Sequence, residues 1–301
     1  MLAILVVCSQ ASAAVSEDPS AKSVNAYGGA VIWTRTVASD DGFGGFRLTA
    51  RGRDGVVRDL PIASFSHPVD ADLGPDADGR LVAVYDRCRR GACDVYRYDF
   101  ERRRERRLRA QTSRRRSESA ISTWGGQHAF MRYAITIGFH YGYRRAGVYV
   151  GSSPFRVAAR LVDGTDLRNG AIAYSTGTRY RPSATSRVHV VRFRGRHRRV
   201  CELAYETRVP RGPGAKVREA VLDGGYVYWL HTTIDGAGGQ PTRVRRVRLP
   251  ARNCRRRGPV EQSEELPFAA PDSLAVAGGR AFVTAAGGVL ELPGLQFEAA
   301  G

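Results

Sequence analysis

The sequence predicts an all-β chain folded as a six-bladed β-propeller of four-stranded antiparallel blades. Three observations carry this. A tight turn followed by an apolar strand recurs six times. The recurrences are evenly spaced. No stretch sustains the 3.6-residue period of a helix. Aligned on the second turn residue, the repeats read Gly28-Gly29-Ala-Val-Ile-Trp33, Asp78-Gly79-Arg-Leu-Val-Ala83, Gly125-Gly126-Gln-His-Ala-Phe130, Asn169-Gly170-Ala-Ile-Ala-Tyr174, Gly224-Gly225-Tyr-Val-Tyr-Trp229 and Gly278-Gly279-Arg-Ala-Phe-Val283. The aligned glycines lie 50, 47, 44, 55 and 54 residues apart. A period of this size gives one small sheet per repeat. A pair of β-sandwiches and a ring of another blade number are the competing architectures. The even spacing disfavours the sandwiches.

Each element follows from local chemistry. Gly-Gly, Asp-Gly and Asn-Gly tolerate positive φ at both central positions of a type I′ turn, whose twist matches two antiparallel strands. A first strand (A) therefore leads into the turn and a strongly apolar strand (B) leaves it. Both read apolar on their two faces, as strands between stacked sheets do. A third strand follows at 46–50, 95–98, 148–150, 188–193, 244–249 and 289–292. A more charged fourth strand ends most repeats, at 56–60, 106–110, 156–161 and 198–203. Four strands in roughly 40–50 residues make one propeller blade. The blades fall near 21–65, 66–115, 116–161, 162–210, 211–262 and 263–301, in one domain running from residue 14. The segment Val15–Ser20 is polar and contains Pro19. Closure is therefore expected within blade six, by a strand at Leu295–Phe297, and loss of residues 14–20 is expected to leave melting unchanged.

The second repeat carries a family resemblance. Asp70-Ala-Asp-Leu-Gly-Pro-Asp-Ala-Asp-Gly79-Arg-Leu-Val-Ala-Val-Tyr85, followed by Cys93-Asp-Val-Tyr-Arg-Tyr-Asp99, resembles the blade repeat of TolB-type propellers. Here an Ala-Asp pair is inserted into the turn. The other repeats share only the turn and strand pattern. The resemblance implies a six-bladed ring and an extracytoplasmic binding role, without a substrate.

The N-terminus reads as a secretory signal over residues 1–13. Leu2–Cys8 is an apolar run and Ala11-Ser12-Ala13 an A-x-A cleavage pattern. The run is too short to span a membrane. No later segment is long and apolar enough to do so. A lipoprotein at Cys8 is the alternative, disfavoured by the Leu-Val-Val before it. The expected location is extracytoplasmic: secreted, periplasmic or bound to the envelope. Cleavage after Ala13 leaves four cysteines, an even count that suggests two disulfides in an exported chain. Cys88 and Cys93 flank the B–C turn of blade two, and Cys201 and Cys254 fall in the outer parts of neighbouring blades. The expected pairs are Cys88–Cys93 and Cys201–Cys254. The alternative is four free thiols in the cytoplasm. No CxxC pair or histidine close in sequence suggests zinc.

The formal charge is +18, from 47 basic and 29 acidic residues, and only Lys22 and Lys216 of the 47 are lysines. Arginine suits bidentate recognition of phosphate and carboxylate. The charge clusters at Arg102–Arg107, Arg114–Arg116, Arg192–Arg199 and Arg243–Arg257, all on third or fourth strands at the rim. Charged outer strands block edge-to-edge association. The sharper reading is a basic belt for a polyanion, with Arg102, Arg103, Arg104, Arg114, Arg115 and Arg116 as its residues. An anionic envelope polymer or an acidic protein is then the partner. Sequence-specific nucleic acid is disfavoured, because the arginines lack interleaved aromatics and no nucleic-acid-binding signature occurs.

Catalytic signatures are absent: no G-x-S-x-G elbow, no H-E-x-x-H, no P-loop. No cofactor is implied and the chain reads as a monomer. His128 occupies an apolar B-strand column and reads as a core imidazole. His67 precedes Pro68 and reads as a loop residue. His140 and His231, near B–C loops, are within reach of a face. One column stands out. Seven residues before each aligned glycine stand Lys22, Asp72, Ser119, Asp163, Arg218 and Asp272. Strand A is innermost in a propeller, so this column should ring one mouth of the channel. Asp72, Asp163 and Asp272 with Arg218 are the candidate ligand-binding residues. Three aspartates suit a cation; Lys22 and Arg218 oppose one. The Asp70–Asp78 segment reads as a hairpin turn rather than a calcium loop. Two functions follow. The first is a non-enzymatic exported binding or scaffold module. The second is a lyase or hydrolase working at the channel mouth.

Overall fold

Paired residues of left-handed φ fix five of the six A–B turns. Gly28 and Gly29 have φ of 57° and 86°, and Asn169 and Gly170 have 46° and 71°. The computed structural model describes residues 13–38, 44–89, 92–113, 116–135, 141–151, 154–158, 162–176, 185–194, 197–208, 214–234, 240–249, 258–268, 271–286 and 288–300. Among them there are only strands, turns and irregular segments. Among the described residues, no helix is long and apolar enough to cross a membrane.

In chain order, β1 (Ala13–Ser16) precedes blade one. Blade one is β2 (Lys22–Tyr27), β3 (Ala30–Val37), β4 (Gly45–Arg51) and β5 (Val57–Asp59). Blade two is β6 (Ala71–Pro75), β7 (Leu81–Arg89), β8 (Ala92–Asp99) and β9 (Arg104–Arg107). Blade three is β10 (Ser117–Trp124), β11 (Gln127–Ile135), β12 (Tyr141–Val150) and β13 (Phe155–Ala158). Blade four is β14 (Gly164–Arg168), β15 (Ala171–Thr176), β16 (Thr185–Arg194) and β17 (His197–Arg208). Blade five is β18 (Gly214–Asp223), β19 (Tyr226–Ile234), β20 (Thr242–Arg248) and β21 (Glu261–Glu265). Blade six is β22 (Ser273–Ala277), β23 (Arg280–Ala285) and β24 (Gly288–Leu292), and β25 (Glu298–Ala299) ends the chain. This is the six-bladed ring that the TolB-type resemblance implies.

The A strands touch in the order β2, β6, β10, β14, β18, β22 and back to β2, so they line the axis. Hydrogen bonds tie each blade to the next. The Leu73 amide donates to Asn25, the Thr123 amide to Asp72 and the Leu222 amide to Asp166. Thr165 donates to the Ala120 carbonyl, the Gly279 amide to Asp223 and the Val24 amide to Ser273. Apolar clusters fill the space between sheets. Ile32, Leu48, Leu73 and Tyr85 join blades one and two, and Leu230, Val244, Leu274 and Val283 join five and six. Gly74 is required where β6 meets blade three, since a Cβ there would run into the Thr123 carbonyl.

The closure differs from the sequence expectation. β1 is the fourth strand of blade six, antiparallel to β24 in the register Ala13↔Glu291, Ala14↔Leu290 and Ser16↔Val289. Val15 is buried in the cluster that holds Trp33, Phe282 and Val289. Leu295–Phe297 does not close the ring. It crosses to blade five, where β25 pairs with β21 as a fifth strand and Phe297 lies over Tyr228. The physical reason is the edge of β24, which needs a partner and finds it in a small, half-apolar segment that approaches Gly288 closely. Blade five also runs on to Glu265, past the expected boundary at 262. The apolar run Leu2–Cys8 lies outside the described residues, as do Ala11 and Ser12; Ala13 opens β1.

Candidate functional site at the channel mouth and the arginine rim

The start of the A strands frames a pocket of about 420 Å³ lined by Lys22, Asp163, Arg218 and Asp272, four residues of the expected column. They come from blades one, four, five and six. Asp272 accepts from Lys22 at 3.2 Å and lies 3.9 Å from Arg218, so both cations lean on one carboxylate. Ser119 of the column lies outside this lining.

Asp72 does not reach the mouth. It is buried, and its Oδ2 accepts from the Thr123 amide at 2.6 Å. Its turn is longer than the others: five residues lie between the paired Pro75 and Leu81, against two between Arg168 and Ala171, and within it the Asp76 Oδ1 accepts from the Asp78 and Arg80 amides. Asp70, two residues earlier, lines the mouth instead. The Asp70–Asp78 segment is accordingly a hairpin turn, with Asp76 held by Arg97 at 2.6 Å.

Alternate blades differ in a way the sequence did not announce. Strand A carries a β-bulge in blades one, three and five, with register shifts after Lys22, Ser119 and Arg218. Ser23, Ala120 and Glu219, each six residues before the aligned glycine, hold φ near 50°. The A strands of blades two, four and six pair with their B strands without a shift. Left-handed φ is costly for side-chain-bearing residues, and bulges re-aim side chains. Two of the three bulge residues, Ser23 and Glu219, line the mouth.

Below the mouth the channel holds a buried carboxylate pair. Asp166 accepts from the Leu222 amide at 2.5 Å, as Asp72 does from Thr123. Burial pushes the Asp72 pKa well above the usual carboxylate range, and the charge of Asp166 adds to this. Burial also raises Asp166, against the pull of Arg168. Arg168 stops the channel beyond them. Its guanidinium pairs with Asp223 at 2.8 Å and donates to the Ala26 and Val276 carbonyls at 3.4 and 3.2 Å. It also lies over the Trp124 ring, which meets Tyr27 edge-on. One side chain of blade four thus reaches blades one, three, five and six.

The histidines resolve differently. His128 is buried beside Thr123, and burial depresses its pKa to about 4, as befits a core imidazole. His231, expected within reach of a face, is also buried and also depressed to about 4 by desolvation. His140 lies outside the described residues.

Among the described residues, the rim arginines differ between blades. In blade five the acidic strand β21 neutralises the arginines opposite: Arg246 pairs with Glu261 at 2.6 Å and Arg243 with Glu265 at 3.9 Å. Blade two is different. Arg102, Arg103, Arg104, Arg106 and Arg109 are exposed, and no described carboxylate pairs with them. Glu105, the one acid between Arg102 and Arg107, turns inward to Arg87 at 2.7 Å and the Tyr85 hydroxyl at 2.8 Å. Arg116 is half-buried; Arg114 and Arg115 lie outside the described residues.

Cys88 and Cys93 face each other in the β7–β8 register with their sulfurs at bonding distance. Cys254 and the side chain of Cys201 lie outside the described residues. The fold also supplies what sequence spacing lacked. His67 and Asp86 each place a ligand atom within 4.8 Å of the Cys88 sulfur.

No protein-family model matches the chain, and no curated protein matches it. Solved structures do. It is similar to the tricorn protease, at TM-score 0.55 and 12% identity, over 93% of this chain and 26% of that one. It is similar to a puromycin-hydrolysing peptidase of Mycobacterium tuberculosis, at TM-score 0.51 and 12% identity, over 93% and 51%. TolB from Acinetobacter baumannii matches at TM-score 0.46 and 12% identity, over 84% and 61%. The first two likenesses show a shared fold. The chain spans about half the length of the puromycin-hydrolysing peptidases it matches.

Proposed function

We propose that this propeller is an exported, non-enzymatic binding module that holds an anionic partner along the outer edge of blade two. The observation that carries the reading is the array of exposed arginines at 102, 103, 104, 106 and 109 whose one intervening acid is turned inward. Export rests on the Leu2–Cys8 run and the A-x-A pattern ending at Ala13. An anionic envelope polymer or an acidic protein segment fits such an edge. Recognition by guanidinium fork and Coulomb attraction is independent of sequence and weakens with salt.

Binding of inorganic polyphosphate to the full chain, measured across ionic strength, tests this. Affinity should fall steeply with salt. A triple R102S/R103S/R104S variant should flatten the log–log salt slope by on the order of one per arginine removed. Salt-independent binding, or a variant that binds as the parent does, overturns the reading.

A second reading puts a ligand, or lyase or hydrolase chemistry, at the channel mouth. It is favoured by the buried Asp72–Asp166 pair, since carboxylates of raised pKa beneath a polar pocket are a common catalytic arrangement. The peptidase activity in the names of similar proteins belongs to them, and this sequence has no G-x-S-x-G elbow.

A further inference from the structure

At blade two, a loop and a hairpin bring four residues of metal-ligating types together. The connection from blade one to blade two carries His67, and β7–β8 carries Asp86, Cys88 and Cys93. One ligand atom each from His67, Asp86 and Cys88 lies within 4.8 Å of the others. The Cys88 sulfur is 3.9 Å from the Asp86 carboxylate. The Nε2 of His67 is buried and makes no hydrogen bond, an arrangement that leaves a desolvated lone pair or N–H without compensation. The loop is not loosely draped there. Arg87 donates to the Ala63 and Ser64 carbonyls and lies over Phe65, fixing the approach to His67.

We propose that this corner is a thiol-gated zinc site with Cys88, Cys93, His67 and Asp86 as its four ligands. In the oxidised chain the two sulfurs bond to each other and the site is closed. A dithiol reductant opens it: the dithiol is oxidised to its disulfide, and its two electrons and two protons convert the protein disulfide to two thiols. Zinc then binds both as thiolates and displaces their two protons. Zn–S bonds of about 2.3 Å at tetrahedral angles need sulfurs about 3.8 Å apart, which a facing cross-strand pair reaches by small χ1 changes. The ligand set mixes soft thiolate with borderline imidazole and hard carboxylate, as four-coordinate zinc accepts. This inference does not rest on the function proposed for the arginine edge or the channel mouth, although Arg87 braces both the edge and the loop that carries His67.

The test uses the full chain, oxidised or reduced with dithiothreitol that is then removed anaerobically. Cobalt(II) is added as the spectroscopic probe and zinc(II) is titrated against a chromophoric chelator. The reduced chain should take up one cobalt with tetrahedral d–d bands and thiolate charge-transfer absorption, and zinc should displace it. The oxidised chain should show neither band. H67Q and D86N should weaken zinc binding at least about tenfold, and C88S/C93S should abolish it, with the circular-dichroism spectrum checked for each. Cys8, Cys201 and Cys254 would also offer thiols in a reduced full chain, so equal uptake by C88S/C93S refutes the site. So does equal affinity of oxidised and reduced chains, a comparison that needs no variant to fold.

Discussion

Val15→Ala probes the ring closure directly. The side chain is 8% exposed and packs in the cluster with Trp33, Phe282 and Val289. Alanine removes two methyl groups and leaves the backbone register of β1 with β24 intact. The transfer loss is about 1.6 kcal/mol at ~0.8 kcal/mol per carbon. The unfilled space raises this to about 2 kcal/mol. For a chain of this length that lowers the melting temperature by roughly 4 °C. Urea unfolding, followed by tryptophan fluorescence because Trp33 lies in the same cluster, gives the free energy; a thermal melt gives the shift. If residues 13–16 were undocked, Val15 would be solvated and its truncation would change stability by less than about 0.5 kcal/mol. A result inside that band would refute the closure described here. Deleting residues 14–20 is expected to lower melting too, because it strips the outer edge of β24 of its partner.

Two further outcomes concern the channel. Arg168→Met should destabilise the chain by about 3–5 kcal/mol in urea unfolding. It leaves Asp223 and Asp166 without their cation and two carbonyls without a donor; a change below about 1 kcal/mol would show that the guanidinium does not tie the blades. Asp72→Asn should flatten the pH dependence of stability. The folded-state pKa of Asp72 is raised, so its contribution is fully present below the unfolded value near about 4 and is lost as pH rises towards the folded value. The parent should therefore lose up to about 1.4 kcal/mol per pH unit relative to the variant over that window. Urea midpoints from pH 4 to 8 measure the difference, which cancels the opposing effect of His128 and His231; superimposable curves would falsify the assignment.

What the sequence showed and hid divides along physical lines. Turn chemistry is local, so the six turns and the strands around them were legible, and Asn169-Gly170 served as well as the Gly-Gly pairs. The mouth column was legible at Lys22, Asp163, Arg218 and Asp272, while Ser119 and Asp72 lie outside the lining. Asp72 precedes the one longer A–B turn among the described residues, and that extra length was itself visible in Asp76-Ala-Asp-Gly79. The bulges at Ser23, Ala120 and Glu219 had no signal, since none of the three is a glycine. Arg168 and the His67 corner depend on partners nineteen or more residues away, brought near by the fold rather than by local sequence. β1 was missed because the pairing of an edge strand is decided by the vacancy it fills more than by its own composition.

The arginine edge gains its character from an inward contact. Eight of the nine residues from Glu101 to Arg109 are charged, six of them without a described carboxylate partner or with only Asp94 beside them. Left in solution, Glu105 would offset part of that charge. Tyr85 and Arg87 instead draw it beneath the strand, and Arg87 is held in turn by Phe65, Tyr96 and the 63–64 carbonyls. β9 is thereby fastened to its blade in register with β8, from Tyr96↔Arg107 to Asp99↔Arg104. An array fixed this way meets an anion with little backbone left to order, so less of the interaction energy is lost to entropy. The same contact separates the two candidate surfaces. The edge depends on Glu105 and Arg87 of blade two, and the mouth on Lys22, Asp163, Arg218 and Asp272 of four other blades, with Asp70 just before β6. Substitutions at one should therefore leave binding at the other unchanged, and that independence lets each reading stand or fall alone.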